Sequence, residues 1–252
     1  MTHFEVGQYQ LPIVRTARQK SIALKPVASS HSPLQLLVPR HLSERALRGL
    51  LQRHHVWIAD RLEAHLQRQQ QTALWPQFAY RPQDKVIWLG ECLPVVWQTQ
   101  SSQSAGCMLK HETLHVPLGH AAGLLSFSAA QKAQVKRRLQ SWYMQKAQAY
   151  FAQKVPDLAG QIDVSVSAIQ VKTYKSRWGS CYPDGRIQFN WKLLQAPEWV
   201  VDYVIVHELC HLQHVNHSPA FWALVNQHYP QTPQAKRWLQ THGMALMAFL
   251  SD

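Results

Sequence analysis

The chain has 252 residues, of which 46% are hydrophobic, so it can bury a sizeable core, and wholesale disorder is excluded. Its formal net charge is +12, and the residues up to and after position 125 each hold 13 Lys and Arg against 7 Asp and Glu, which excludes a charged tail as the source. This even basic excess is compatible with a nucleic acid or nucleotide partner and equally with a generally basic protein.

Targeting and cysteine patterns favour a cytoplasmic protein. The first residues lack the basic-then-apolar order of a signal peptide, and there is no run of about 18 apolar residues that would cross a membrane. The four cysteines, Cys92, Cys107, Cys181 and Cys210, form no C-x-x-C pair and hence no structural zinc motif. We therefore expect reduced thiols, a cytoplasmic location and no membrane partner.

A small sheet followed by a helix is predicted for the first part of the chain. Short β-prone runs at 13–17, 21–27 and 34–38 indicate a hairpin or meander that ends at Pro39. Ser43 then caps a helix in which six residues recur at helical spacing, namely Leu47, Leu51, His54, Ile58, Leu62 and Leu66. Its other faces carry arginines that either contact phosphates or form a solvated surface, namely Arg45, Arg48, Arg53, Arg61 and Arg68.

Further short strands are predicted towards the middle of the chain. Residues 86–97 indicate two strands around a turn at 90–91, and weaker strands follow at 107–109 and 113–116. The polar, serine-rich segment between 98 and 106 is predicted to be a loop.

Three histidines of this middle region have a spacing that fits no metal motif: His111, His115 and His120. We therefore predict no catalytic group before about residue 125. The stretch 119–123, which contains two glycines, is the expected boundary between an N-terminal α+β region, 1–125, and a second domain, 126–252.

The second domain is predicted to begin with a long helix. Ser128 opens it, and its apolar positions continue to about Lys154, with Pro156 just beyond the expected end. Residues 162–171 then alternate like a strand.

A hairpin and three helices complete the prediction. The segment 172–181 is joined by a turn at 183–185 to a returning strand at 186–190. Further helices are expected to start near Pro197, Ser218 and Pro233.

The strongest chemical signal is H-E-x-x-H at His207, Glu208 and His211. Two histidines four apart lie on one face of a helix and can chelate one metal ion. The carboxylate of Glu208 projects roughly 100° around the helix axis, where it can reach the water of the metal without becoming a ligand. This arrangement is typical of a catalytic zinc site, in which the metal lowers the pKa of its water to about 7 and the glutamate takes the proton.

A catalytic zinc site has three protein ligands as a rule, and the candidates for the third are His214 and His217. His214 would stand about 10 Å along the helix axis from His207, which is too far for one ion on a straight helix. His217 can reach the ion if the helix stops and the chain turns back. Asn216, which tolerates a left-handed turn, and Ser218, which caps the next helix, favour that turn.

Three stretches of the sequence closely resemble the YgjP-like metallopeptidase family, a relative of the SprT-like and WLM zinc metalloproteases. They are Y-K-S-R-W-G-S-C at 174–181, I-Q-F-N at 187–190, and the segment 203–222 around H-E-L-C-H. The likeness is dense over 170–245 and looser before it.

The resemblance implies a zincin-like catalytic half that acts as a peptidase on a peptide or protein substrate. It implies zinc bound by His207, His211 and His217, with Glu208 as the general base. Together with the elements above, it predicts an α+β protein: a β-rich N-terminal region with one long helix, followed by a zincin-like helical half with a short antiparallel sheet.

The R-W-G-S-C stretch is a second candidate for function. A strand that passes the metal helix can bind an extended peptide by β-addition, and Arg177 can stabilise a developing oxyanion. The alternative is that Trp178 packs and Arg177 pairs with a local carboxylate. Cys181 and Cys210 are not expected to bind zinc, since Cys210 lies about 60° off the ligand face.

Two further functions stay open at the level of the sequence. The same site could attack a nucleotide or another phosphate ester, because basic residues cluster near it: Lys172, Lys175, Arg177, Arg186 and Lys192. By analogy with the SprT-like relatives, the chain could be a nucleic-acid-associated protease or binding module. A three-histidine site also accepts manganese, nickel or cobalt in place of zinc.

Overall fold

The computed structural model describes residues 2–17, 21–27, 32–73, 78–81, 83–98, 106–118 and 127–251. The chain divides into two compact units, Met1–Ala73 and Leu74–Asp252. The boundary expected at residue 125 falls inside the second unit. Residues 99–105 of the predicted loop, the stretch 119–123 and His120 lie outside the described residues.

The first unit contains a four-stranded mixed sheet with the order β1-β2-β4-β3. Its strands are β1 (His3–Val6), β2 (Tyr9–Thr16), β3 (Ala23–Pro26) and β4 (Leu34–Pro39). A hairpin at Gly7, which has a φ of 58°, joins β1 to β2, and β2 pairs in parallel with β4. The predicted runs therefore form strands, and β1 is an additional strand that the sequence reading missed.

The helix expected after Ser43 is two helices, α1 (Glu44–Arg53) and α2 (His55–Ala73). Ser43 caps α1 by accepting a hydrogen bond from the backbone N–H of Ala46. The apolar spacing continues through the break at His54, because Leu47 and Leu51 of α1 and Ile58 and Leu62 of α2 all enter one core with the sheet. The spacing of the apolar residues could not reveal this break, because the buried positions before and after it keep the same helical spacing.

The second unit begins with a sheet of the same topology, with the order β5-β6-β8-β7. Its strands are β5 (Lys85–Trp88), β6 (Glu91–Gln98), β7 (Met108–Lys110) and β8 (Thr113–Pro117). Both sheets pair antiparallel, parallel and antiparallel in the same register, so that Leu11 and Leu93 occupy equivalent places opposite Phe4 and Val86.

The long helix α3 runs from Ala129 to Ile162 and contains Pro156, so the prediction that it ends near Lys154 is wrong. A proline inside a helix removes one backbone hydrogen bond and disturbs the preceding turn. Here the residues around and beyond it, Val155, Ala159 and Ile162, are buried in the core, and their packing offsets that loss. Asp163 ends the helix in the left-handed conformation.

The predicted strand at 162–171 is correspondingly shorter, since it begins only at Ala168. A three-stranded sheet with the order β10-β11-β9 follows α3. Its strands are β9 (Ala168–Lys172), β10 (Gly179–Cys181) and β11 (Arg186–Asn190). The predicted hairpin is the antiparallel pair β10–β11, while β9 joins β11 in parallel.

Helices make up the rest of the second unit. A 3-10 helix (Trp191–Gln195) leads into α4 (Glu198–Cys210), α5 (Pro219–His228) and α6 (Thr232–Ala248). The α+β class is thus confirmed. None of the helices in the described part of the chain combines the length and the apolar character that a membrane span needs.

The stacked pair of Phe151 on α3 and Phe189 on β11 generates a prediction about stability. Both rings are fully buried, with centroids 4.3 Å apart and planes 15° from parallel. We expect Phe151→Ala to lower the free energy of unfolding by about 3–5 kcal/mol, because it leaves a cavity at this contact. Chemical denaturation would measure the loss, and the exposed neighbour Gln153, changed to Ala, is the matched control. An equal effect of both substitutions would contradict the central place of this pair.

Candidate metal centre

The helix α4, which carries the H-E-x-x-H motif, lies in the core on nearly all sides. Its buried residues are Val200, Val201, Tyr203, Val204, Ile205, Val206, Glu208, Leu209 and Cys210. Its first turns are also tied to α3, because Lys154 Nζ lies 2.9 Å from Glu198 Oε1 and 3.3 Å from Asp202 Oδ2. The position of the motif is therefore fixed by packing and by this ion-pair cluster.

The chain turns back directly after His211, as the sequence predicts. Backbone hydrogen bonds from Leu212 to Leu209 and from Gln213 and His214 to Cys210 tighten the end of α4. Ser218 then caps α5 by accepting from the backbone N–H of Phe221. Asn216 does not adopt the left-handed conformation that the sequence led us to expect. The change of direction begins instead with the tight helical turns at the end of α4.

The turn brings His217 to the two histidines of α4. Within the described residues, His207, His211 and His217 are the group whose ligand atoms could hold a metal ion, and these atoms lie within 4.8 Å of one another. The Nε2 atoms of His207 and His217 are 3.2 Å apart. Two nitrogen ligands of a tetrahedral zinc ion, each at about 2.0–2.1 Å from the metal, are separated by about 3.3 Å. The triad therefore fits the coordination sphere of zinc.

The second ring nitrogen of His211 agrees with this assignment. His211 Nδ1 lies 2.9 Å from the backbone carbonyl oxygen of His214, a bond that orients the ring and leaves Nε2 for a metal. His214 thus contributes its carbonyl group, and its side chain is not part of the cluster.

Burial favours the neutral form of the two histidines on α4, which is the form that binds metals. Desolvation, followed by the neighbouring His211 and His217, lowers the pKa of His207 to about 3. The pKa of His211 is lowered as well, chiefly by burial. His207 Nδ1 is buried without a hydrogen-bond partner in the described structure.

Aromatic residues of α5 hold the rings of the triad in place. Trp222 stacks on His217 with centroids 5.4 Å apart and planes 19° from parallel, and Phe221 stacks on His211 at 4.4 Å and 25°. Lys236 Nζ lies 4.0 Å from the centre of the Trp222 ring. The sequence reading did not assign these roles, although the F-W pair four residues after His217 was the available signal.

Glu208 lies on a face of α4 next to the histidines, in the same cleft, and is only 7% exposed. Burial raises the pKa of its carboxyl group to about 8, while the positive charge of Arg177 opposes that rise. A raised pKa makes this carboxylate a stronger proton acceptor than an exposed glutamate.

The triad and Glu208 share a cleft of about 690 Å³. Strand β10 and the residues after it form one wall, and the end of α4 with its turn forms the other. The lining residues are Arg177, Gly179, Ser180, Cys181, Tyr182, Pro183, His207, Glu208, His211, Leu212, Val215 and His217. Cys181 lines the cleft outside the ligand cluster, and Cys210 is buried.

Arg177 lines the same cleft, and its catalytic role stays a prediction. Its side chain is exposed, lines the cleft and places its guanidinium carbon 5.3 Å from the centre of the Tyr174 ring. Its charge also reaches Glu208.

Two of the basic residues expected around an anionic substrate are engaged elsewhere. Lys192 is buried, and its ammonium group donates to the carbonyl oxygen of Met247 and to Ser251 Oγ. Arg186 pairs with Asp184 at 3.5 Å and lies over the ring of Tyr182. Two of the five basic residues near the site in sequence are therefore held by other contacts, while Lys172, Lys175 and Arg177 are exposed.

The middle histidines remain outside the site, as far as they are described. His115 Nδ1 is 3.0 Å from the side-chain nitrogen of Gln98 on the neighbouring strand, and His111 lies in the turn before β8. Neither belongs to the ligand cluster.

An α+β unit whose core helix presents H-E-x-x-H, with a third histidine from the following turn, has the architecture of a metallopeptidase domain. Comparison with family models agrees, since the YgjP-like metallopeptidase domain matches residues 20–242. The chain therefore belongs to the YgjP-like family, as the resemblance implied. Comparisons with curated proteins and with solved structures gave no match.

The geometry of the triad predicts the metal content of two histidine variants. We expect about one zinc per chain, which His217→Ala should lose, because a ring nitrogen would be missing from the first coordination sphere. His214→Ala is the control, since it keeps the backbone carbonyl group that orients His211. Elemental analysis of dialysed protein measures both. Zinc retained by His217→Ala and lost by His214→Ala would overturn this ligand set.

Proposed function

We propose that the protein is a zinc-dependent peptidase in which Glu208 is the general base. One observation carries the proposal: the ring nitrogens at zinc-binding distance and the buried carboxylate of Glu208 line the same cleft. Membership in a metallopeptidase family supports it.

Zinc, when bound by His207, His211 and His217, supplies a Lewis acid that acidifies water and polarises a carbonyl group. Burial lowers the pKa of His207 and of His211, which favours the neutral imidazoles that would bind the ion. The hydrogen bond between His211 and the carbonyl of His214 fixes the ring orientation that such binding requires.

Glu208 moves the proton in this proposal. Its carboxylate accepts a proton from the attacking water and returns it to the leaving amine, so that the peptide C–N bond breaks with the charges balanced. Burial raises its pKa to about 8, which favours the protonated form that returns the proton. A cation at the triad would favour the ionised form that accepts it. Arg177, exposed at the same cleft, would stabilise the negative charge that develops on the carbonyl oxygen.

Strand β10 offers a binding edge for an extended peptide. The backbone N–H of Asn190 bonds to Trp178 O and that of Tyr182 bonds to Arg186 O, so positions 178 and 182 face β11. Because antiparallel pairing alternates, the backbone groups of Gly179 and Cys181 point away from β11, on the open edge of the sheet. A substrate strand that adds to this edge would lie along the cleft.

The other candidate functions receive less support. A phosphohydrolase needs cations around its substrate, yet Lys192 and Arg186 are engaged within the fold. The arginines of α1 and α2 are exposed, namely Arg45, Arg48, Arg53 and Arg61. Nucleic-acid binding through that surface stays a prediction.

A direct assay tests the reaction class. We expect the zinc-loaded protein to cleave unfolded protein or a peptide library, to lose this activity on chelation and to regain it with zinc. Mass spectrometry of the products would measure cleavage. Hydrolysis of nucleotides or phosphate esters without any peptide cleavage would refute the peptidase proposal.

A second prediction concerns Glu208→Gln. The amide is nearly isosteric, so zinc content and fold should be kept, but it cannot accept the proton of water at neutral pH. We expect the rate to fall by about 10²–10⁴-fold. Metal content, melting temperature and rate are measured on one preparation. An undiminished rate per bound zinc would mean that Glu208 only orients a ligand or pairs with Arg177.

A further inference from the structure

The carboxylate of Glu208 lies where the side chain of Gly179 would otherwise stand. In the sheet, Gly179 is paired with Phe189, which is paired with Val171, so these three residues form one row on the face that enters the core. A Cβ atom added at Gly179 would lie 2.6 Å from Glu208 Cγ, 2.6 Å from Oε1 and 2.7 Å from Cδ. The missing side chain therefore provides the space that Glu208 occupies.

Space is the reason for glycine at this position. Gly179 does not have the positive φ that Gly7, Gly90 and Gly185 have, so its backbone conformation is open to other residues. A Cβ atom at position 179 would lie closer to Glu208 than Cβ atoms in folded proteins lie to their neighbours. It would be too close to Cγ as well as to the carboxylate. A rotation of the carboxylate alone cannot relieve this close contact.

The backbone of β10 cannot move away to make room for a side chain. Asn190 is fully buried, and its Nδ2 donates to the carbonyl oxygens of Tyr174 and Arg177, each at 3.1 Å. Its own backbone N–H donates to Trp178 O at 2.8 Å. The ring of Trp178 in turn packs against α6, where a Cβ atom at Gly243 would meet it at 3.2 Å.

We propose that Gly179 is a positioning residue for the general base. Because β10 is held on both sides, its backbone limits the orientations of Glu208. Only glycine at position 179 allows this backbone to lie so close to the side chain of Glu208. A methyl group at position 179 would turn Glu208 out of the place where it faces the triad. The inference rests on the proposed function for its catalytic consequence, but its steric part is independent of any reaction.

The steric part is tested on metal-free protein by a double-mutant cycle of Gly179→Ala and Glu208→Ala. We expect Gly179→Ala to lower the melting temperature of the wild-type chain and to leave that of Glu208→Ala unchanged or higher. Gly160→Ala on α3 is the matched control, since a Cβ atom there meets nothing within 4 Å. Equal effects of Gly179→Ala in both backgrounds would overturn the proposal, whatever the protein catalyses.

The positioning part is tested on zinc-loaded Gly179→Ala. We expect kcat for peptide cleavage to fall at least 10-fold, while zinc per chain and KM stay at the wild-type values, because the ligands and the binding edge are retained. A merely structural change would alter zinc content or KM as well. An unchanged kcat would refute the positioning role. If the wild-type protein cleaves no peptide, the proposed function is refuted. The double-mutant cycle then still tests the steric contact between Gly179 and Glu208.

Discussion

The burial of α4 is the constraint on which the site depends. A helix that packs on nearly all sides must place its polar groups where each has a partner, and α4 carries His207, Glu208 and His211 within one and a half turns. Burial favours the neutral form of these two imidazoles and raises the pKa of the carboxyl group. A cation at the triad would favour both the neutral imidazoles and the ionised carboxylate, so the core and the metal centre form one energetic unit.

The helix α3 supports both walls of the cleft. Phe151 stacks on Phe189 of the sheet that carries β10, and Lys154, one turn further, binds the two acidic residues at the start of α4. One long helix therefore contacts both α4 and the sheet that carries β10. The turns of α3 beyond Pro156 join the core through Ala159 and Ile162, and the carbonyl group of Ile162 accepts from Gln213 after α4.

The two four-stranded sheets have the same strand pattern but contribute to two different cores. Each has the pairing sequence antiparallel, parallel, antiparallel, and each central strand contains Leu-Pro followed by two β-branched residues, at 11–14 and 93–96. The first sheet encloses its own core with α1 and α2. The inner face of the second, through Val86, Leu93 and Leu114, belongs to the core that also buries α4. The two sheets thus share both their pairing pattern and their register.

The sequence by itself identified the residues of the candidate metal centre. Helical geometry alone places His207, Glu208 and His211 close together on α4. Ser218 and Pro219 predict the start of the next helix, and hence the turn that contains His217, because capping is a local interaction. Where neighbours in space decide, the sequence was insufficient. Packing beyond Pro156 overrode its helix-breaking tendency, and the break at His54 left the apolar spacing unchanged. Only the tertiary structure decided that Gly179 faces Glu208, that Asn190 holds the strand, and that Lys192 is buried beneath α6, because each contact joins residues far apart in the chain whose meeting no local pattern encodes.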